Sequence, residues 1–186
     1  DLTAQSWREK GVWVSQMLKK CRCGFKSAAV VIPLHQGIIW IANALNSLRT
    51  HSRRCLIFLV DNGGQDSESV ASIGEPGVVN VLTAPRTLPF AEVNNLALLN
   101  GCLNVAYVCF LNQDTISRSP WLDACVECLE RRPEVGAVMP LITNYDGTAW
   151  DEAFFTCAKA SPELVARLQE GVSAELSDLP DFIPVP

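Results

Sequence analysis

After residue 27 the chain alternates short apolar runs with segments of helical period, and this alternation constrains its fold more than any other feature. "SAAVVIP", ended by Pro33, is a continuous apolar run of the kind that both faces of a covered parallel strand require. The following "GIIWIANALNSLRTHS" places Ile38, Ile41, Ala42, Leu45 and Leu48 at steps of three and four, the spacing of one buried helix face. "CLIFLV" predicts a second strand, "VVNVL" a third and "VAYVCFL" a fourth. Between the last two, Phe90, Val93, Leu96, Ala97 and Cys102 suit a helix packed on a sheet. Ser119 as N-cap and Pro120 as first helical residue introduce "PWLDACVECLERR", after which "VGAVMP" predicts a fifth strand. Strand and helix in alternation predict an α/β fold: a Rossmann-like, mostly parallel sheet with helices on both faces. In such sheets ligands bind beyond the carboxyl ends of the strands.

Composition excludes several classes. Nearly half the 186 residues are apolar, which suffices for one sizeable core. The net charge of −5, with acids and bases interspersed, leaves no footprint for nucleic acid in the main body. No apolar run approaches the ~20 residues that span a bilayer. Of the eight cysteines, Cys55, Cys102 and Cys109 fall inside apolar patterns, where a thiol behaves as a small hydrophobe; a cytoplasmic protein with reduced thiols is expected. "CVEC", Cys125 to Cys128, has no second Cys or His pair at metal spacing and reads as one face of a helix.

Polar groups gather where the expected strands end: "PLHQ", "VDNGGQDS", "APRTLPF" and "NQDT". In "VDNGGQDS" the glycines permit tight turning, and Asp61 and Asn62 offer in-plane hydrogen bonds to a heterocycle. "FLNQDT" puts the lone carboxylate of Asp114 directly after an apolar strand, which suits either a simple turn or a metal and phosphate site. Arg86 is placed to reach a phosphate or to stay solvated. His35 and His51 lack any nucleophile partner.

Taken in order, "VVIPLHQ", "VDNGGQDS", "PFAEVNN", "LNQDT" and "PWL" resemble the nucleotide-sugar half of family 2 glycosyltransferases of the GT-A fold, in particular their rhamnosyltransferase-like members. The resemblance covers residues 28–142. It implies transfer of a sugar from a nucleoside-diphosphate sugar to a hydroxyl of a glycan or lipid-linked acceptor, with inversion and with Mg²⁺ or Mn²⁺, as in polysaccharide biosynthesis. It places Asp114 at the metal and Asp61, Asn62 and Asn95 about the donor nucleotide; Pro33, His35, Gly63, Arg86 and Asn112, at the same strand ends, are expected to complete the nucleotide site. Asp61 would meet the base, and Asn95 is the helix-start Asn near the donor.

There are departures from the pattern. Gln36 stands where Asn is usual, Thr87 and Pro89 replace an Asn and a Gly, and Gln113 replaces a Pro. The general base implied by the resemblance belongs to a Glu-Asp motif, and no Glu-Asp pair occurs here; "WDEAFF" only faintly echoes the stretch before it. The chain is therefore expected to hold residues 28–142 as the nucleotide-sugar core and 143–186 as the irregular start of an acceptor half, and to turn donor over very slowly. Residues 1–27, basic and partly amphipathic, are expected to be a linker or the edge of a neighbouring domain; the weaker alternative is a helix lying on the inner face of a membrane. Two rival functions are a non-catalytic nucleotide-binding module and a dinucleotide-dependent oxidoreductase, the latter disfavoured because no Gly-x-Gly-x-x-Gly follows the first strand.

Overall fold

The run 28–34 forms strand β1 (Ala28–Leu34), and all but one of its residues are buried, as expected for a strand covered on both faces. It lies between β2 (Cys55–Asp61) and β4 (Tyr107–Phe110), with β3 (Val79–Thr83) beyond β2. The order is β3-β2-β1-β4, every pairing parallel. This is an α/β fold. The computed structural model describes residues 28–151 except 53–54, 64–66, 76, 103–104, 119 and 150, together with residue 166. The basic segment 1–27, the expected cap Ser119 and, apart from the helical Ala166, the helix expected after Ser161 lie outside the described residues.

The chain divides into two compact units, Asp1–Ser119 and Pro120–Pro186. In the first, helix α1 (Ile38–His51) connects β1 to β2, α2 (Ser67–Ile73) precedes β3, and α3 (Phe90–Asn100) connects β3 to β4. Right-handed crossovers put α1 and α2 on one face of the sheet; α3 runs back across the sheet and so covers the other. The packing agrees with this. Ala29, Val31, Phe58 and Val60 form one core cluster with Val93, Ala97 and Cys102. Successive strand residues point to opposite faces, so the buried Val30, Ile32, Ile57 and Leu59 line the other face, the one α1 covers with Ile41, Ala44, Leu45 and Leu48. Each of the large apolar side chains among these contributes about 1.5–3 kcal/mol by leaving water.

Two helix-face expectations need correction. Ala42 is exposed and Ala44 buried, because the stripe i, i+3, i+4, i+7 starts at Ile41 and reaches Ala44 rather than Ala42. Phe90 is 60% exposed: it opens α3 at the sheet's carboxyl edge, before the helix has come down onto the core.

The second unit carries α4 (Trp121–Arg131), with Pro120 as N-cap rather than first helical residue. Cys125 and Cys128 both lie on it; burial, then the neighbouring Cys128, pushes the Cys125 thiol up to about 11. Residues 135–140, expected as a fifth strand, join no sheet among the described residues. An apolar run becomes a strand only where a neighbouring ladder satisfies its N–H and C=O groups, and "VGAVMP" has none among the described residues. Residues 142–151 close a tight loop, with Asp151 N donating to Ile142 O at 2.9 Å and the Asn144 carboxamide accepting from Thr148 N at 2.9 Å. No helix of the described residues is long and apolar enough to cross a membrane.

Candidate functional site

The strand register brings the polar strand ends to one level. Leu34 pairs with Asp61 and Asp61 with Thr83, so β1, β2 and β3 stop together. β4 pairs Phe110 with Val31, and Leu111 N continues the ladder to Val31 O at 2.9 Å, which sets residues 112–114 alongside the end of β1. All four following loops leave from this carboxyl edge.

A chain of hydrogen bonds crosses the edge from β4 to β3. Gln113 reaches the β1 loop: its Oε1 accepts from His35 N at 2.8 Å, and its Nε2 donates to Gln36 O at 2.8 Å. The His35 ring continues to the β2 loop, Nδ1 lying 2.9 Å from Asn62 O. Because that partner is a carbonyl, Nδ1 carries the proton of this bond. Asn62, 5% exposed, then clasps the loop after β3 with both ends of its carboxamide: Nδ2 donates to Leu88 O at 2.9 Å and Oδ1 accepts from Leu88 N at 2.7 Å.

Two backbone features let these loops approach so closely. Gly63 follows Asn62, and a Cβ there would come within 2.9 Å of His35 Nδ1, nearer than such atoms lie. Gln36 and Gly37 both have positive φ, 59° and 70°, and turn the chain sharply from β1 into α1. For Gln36 this left-handed conformation costs about 1–2 kcal/mol. The bond its carbonyl accepts from Gln113 offsets part of that cost.

Above the belt lies a cavity of about 490 Å³, within the usual size range of ligand sites. Its apolar wall is Pro33, Leu88, Phe90 and Val93. Its polar wall comes from the strand ends: His35 after β1, Asn62 after β2, Thr87 after β3, and Asn112, Gln113 and Asp114 after β4. Five of the residues expected from the sequence thus meet here: Pro33, His35, Asn62, Asn112 and Asp114. Four stand elsewhere. Asp61 is 4% exposed beneath the edge and does not line the cavity. Gly63 serves the close approach to His35. Arg86 pairs with Glu92 at 3.3 Å on the surface. Asn95 is on the exposed side of α3; its neighbour Asn94 is the buried amide, donating from Nδ2 to Phe90 O at 2.8 Å.

Thr87, Leu88, Phe90, Val93 and Gln113 were not among the residues expected at the site. Phe90 carries a helix-packing signal and a place in the "PFAEVNN" motif, Val93 a helix-packing signal only, and Thr87 and Gln113 are legible only as departures from a motif. The polar partner of Leu88 lies 26 residues away and leaves no local trace.

A hard divalent cation takes oxygen ligands, and Mg²⁺ or Mn²⁺ is often held by one or two carboxylates together with substrate phosphates and water. Among the described residues no group of three or more His, Cys, Asp or Glu gathers into an all-protein cage. The Asp114 carboxylate and the Asn112 carboxamide, both exposed, put two oxygen donors of this kind on one turn of the cavity wall.

The chain is an α/β domain with a cavity at the carboxyl edge of its parallel sheet. No protein-family model matches the chain, and no curated protein does. Among solved structures it is similar to residues 1–349 of TarS from S. aureus, with 15% identity over 66% of this chain and 40% of that one and a TM-score of 0.47. It is similar to the mannosyltransferase PcManGT from Pyrobaculum calidifontis, solved with GDP-Man and Mn²⁺, at 12% identity over 76% of this chain and 43% of that one, with a TM-score of 0.46. A longer TarS structure aligns at 15% identity over 66% of this chain and 24% of that one, with a TM-score of 0.46. The chain spans less than half the length of each of these structures.

Proposed function

We propose that this chain is the nucleotide-sugar-binding part of a GT-A-type glycosyltransferase, one that moves a sugar from a nucleoside-diphosphate donor to a hydroxyl of a glycan or lipid-linked acceptor. The observation that carries this reading is the convergence of Asp114, Asn112, His35 and Asn62 on one cavity at the carboxyl edge. These residues belong to the ordered strand-end motifs whose sequence resembles family 2 transferases.

In this reading the nucleoside lies against the apolar wall of Leu88, Phe90 and Val93, and the diphosphate lies toward the β4 turn. Asp114 and Asn112 would hold Mg²⁺ or Mn²⁺, and the cation supplies neutralisation of the charge that develops on the departing diphosphate. Transfer is a direct displacement. The acceptor hydroxyl gives its proton to a general base, its oxygen forms the new bond to the anomeric carbon, and the bond to the diphosphate oxygen breaks on the opposite face with inversion. The base is expected outside the cavity wall, since Asp114 is the one carboxylate among its described residues.

Calorimetry on the full chain with UDP, TDP and GDP, with Mn²⁺ and with EDTA, tests the reading. The expected result is binding that Mn²⁺ strengthens, with the strengthening lost in Asp114→Asn. Equal binding with and without metal for every nucleotide, or none at all, overturns it. Metal-dependent binding without sugar turnover by any longer form of the protein would favour a non-catalytic nucleotide-binding module.

A further inference from the structure

Asp114 is exposed at the third position of a turn, where a side chain ordinarily has wide freedom; Thr115 N closes this turn on Asn112 O at 3.3 Å. The residue before it does not share that freedom. Gln113 is tied through Oε1 to His35 N and through Nε2 to Gln36 O, both at 2.8 Å, and its Nε2 also lies 3.5 Å from His35 O. The amide therefore reads three backbone groups of two successive residues of the β1 loop, the acceptor end on an N–H and the donor end on carbonyls. No simple solvated Gln makes such a set.

Its partners are themselves held out of their relaxed state. Gln36 has φ of 59°, and a Cβ on Gly37 would lie 3.4 Å from Gln113 Nε2, so the amide packs directly over a left-handed turn. Strained backbone held by its surroundings is a feature of sites that must present a fixed geometry. Two loops whose residues are 78 positions apart are thereby locked together, and Asp114 projects from one of them.

We propose that Gln113 is a positioning residue for the cation site: its carboxamide locks the β4 turn to the β1 loop, so that Asp114 meets a diphosphate-bound divalent cation from a backbone that is already ordered. The proposal rests on the reading of Asp114 as a cation ligand. A residue that orients a metal ligand without touching the metal typically changes metal affinity by about 10–100-fold when removed.

The test uses the full chain, Mn²⁺, and UDP and GDP as probes, with Gln113→Ala, Gln113→Glu and Asp114→Asn. Mn²⁺ affinity in the presence of each nucleotide is read by the relaxation of water protons, and nucleotide affinity in EDTA by calorimetry. Amide exchange at His35 reports the lock itself, independently of any ligand. Gln113→Ala should weaken Mn²⁺ binding about 10–100-fold, by a factor at least about tenfold larger than its effect in EDTA, and should speed exchange at His35 N–H. Gln113→Glu keeps an acceptor for His35 N–H but cannot donate to Gln36 O, and should fall between Gln113→Ala and the wild type. Unchanged Mn²⁺ affinity in Gln113→Ala, equal losses with and without metal, or unchanged exchange at His35 overturns the proposal. If Asp114→Asn also leaves the metal response intact, the site reading falls and takes this inference with it; if Asp114→Asn abolishes the response while Gln113→Ala does not alter it, this inference falls alone.

Discussion

Replacing Asn62 by an aspartate, Asn62→Asp, tests the clasp at the carboxyl edge by removing one donor and adding one charge. In the native protein the carboxamide accepts from Leu88 N at 2.7 Å and donates to Leu88 O at 2.9 Å. The introduced carboxylate would keep the first bond, but its second oxygen would face the Leu88 carbonyl with no hydrogen between them. The lost bond costs about 1 kcal/mol and the buried, unsatisfied acceptors about 1–3 kcal/mol more, a deficit of roughly 2–4 kcal/mol at pH 7. Protonation restores the donor, so the folded protein binds this proton more tightly than the unfolded chain and the variant's carboxyl is raised above its unfolded value of about 3.9. The stabilisation from the protonated form is present below that value and is lost as pH rises through the folded pKa. A deficit of about 2 kcal/mol corresponds to a shift of about 1.5 units, so the gap from wild type should open between about pH 4 and pH 6 and level off above it. Asn62→Ala removes both bonds and leaves the Leu88 N–H and C=O without that partner, so it should be about 2–6 kcal/mol less stable with no such pH dependence. Urea unfolding followed by circular dichroism, with the three proteins compared at each pH, measures this. An Asn62→Asp curve that tracks wild type at pH 7, or a difference that stays flat with pH, refutes the clasp.

Leu48→Ala, in the buried stripe of α1, should lower stability by about 2–5 kcal/mol, whereas Ala42→Ser on its exposed side should change it by less than about 0.5 kcal/mol; similar urea midpoints would refute the face assignment. Burial pushes the Cys102 thiol up to about 12, so only ~10⁻⁴ of it is thiolate at pH 8. A disulfide reagent should therefore modify Cys102 only after unfolding, with reactivity rising as pH is raised; mass spectrometry showing prompt native labelling at pH 8 would contradict its buried environment.

What could be read in advance followed from how local each signal was. β1 and β2 are runs of apolar residues whose covered faces require just that composition, and the period of α1 names Ile41, Leu45 and Leu48 directly. "VGAVMP" has the same composition as a strand yet makes no ladder among the described residues, because pairing depends on a neighbour that the run itself does not encode. The strand-end positions of His35, Asn62 and Asp114 were equally legible, since alternation fixes which ends of the strands carry polar loops. The division of labour among them was not. "DNGG" looks alike whether Asn62 faces a ligand or clasps Leu88, and "NQDT" gives no hint that its Gln reaches the β1 loop.

The belt across the sheet edge also dictates when the site can come into being. Its bond between Gln113 and His35 joins residues 78 positions apart, and β1 must wait between β2 and β4 for a partner that is made last among the described strands. Closing so long a loop carries an entropic cost that falls before the contacts that offset it. As the chain leaves the ribosome, β1, β2 and β3 can pair while Gln36 is still without its amide partner and Asp114 has not yet been made. A ligand that needs the β4 turn cannot stabilise those early forms, so its help arrives only after β4 has joined the sheet.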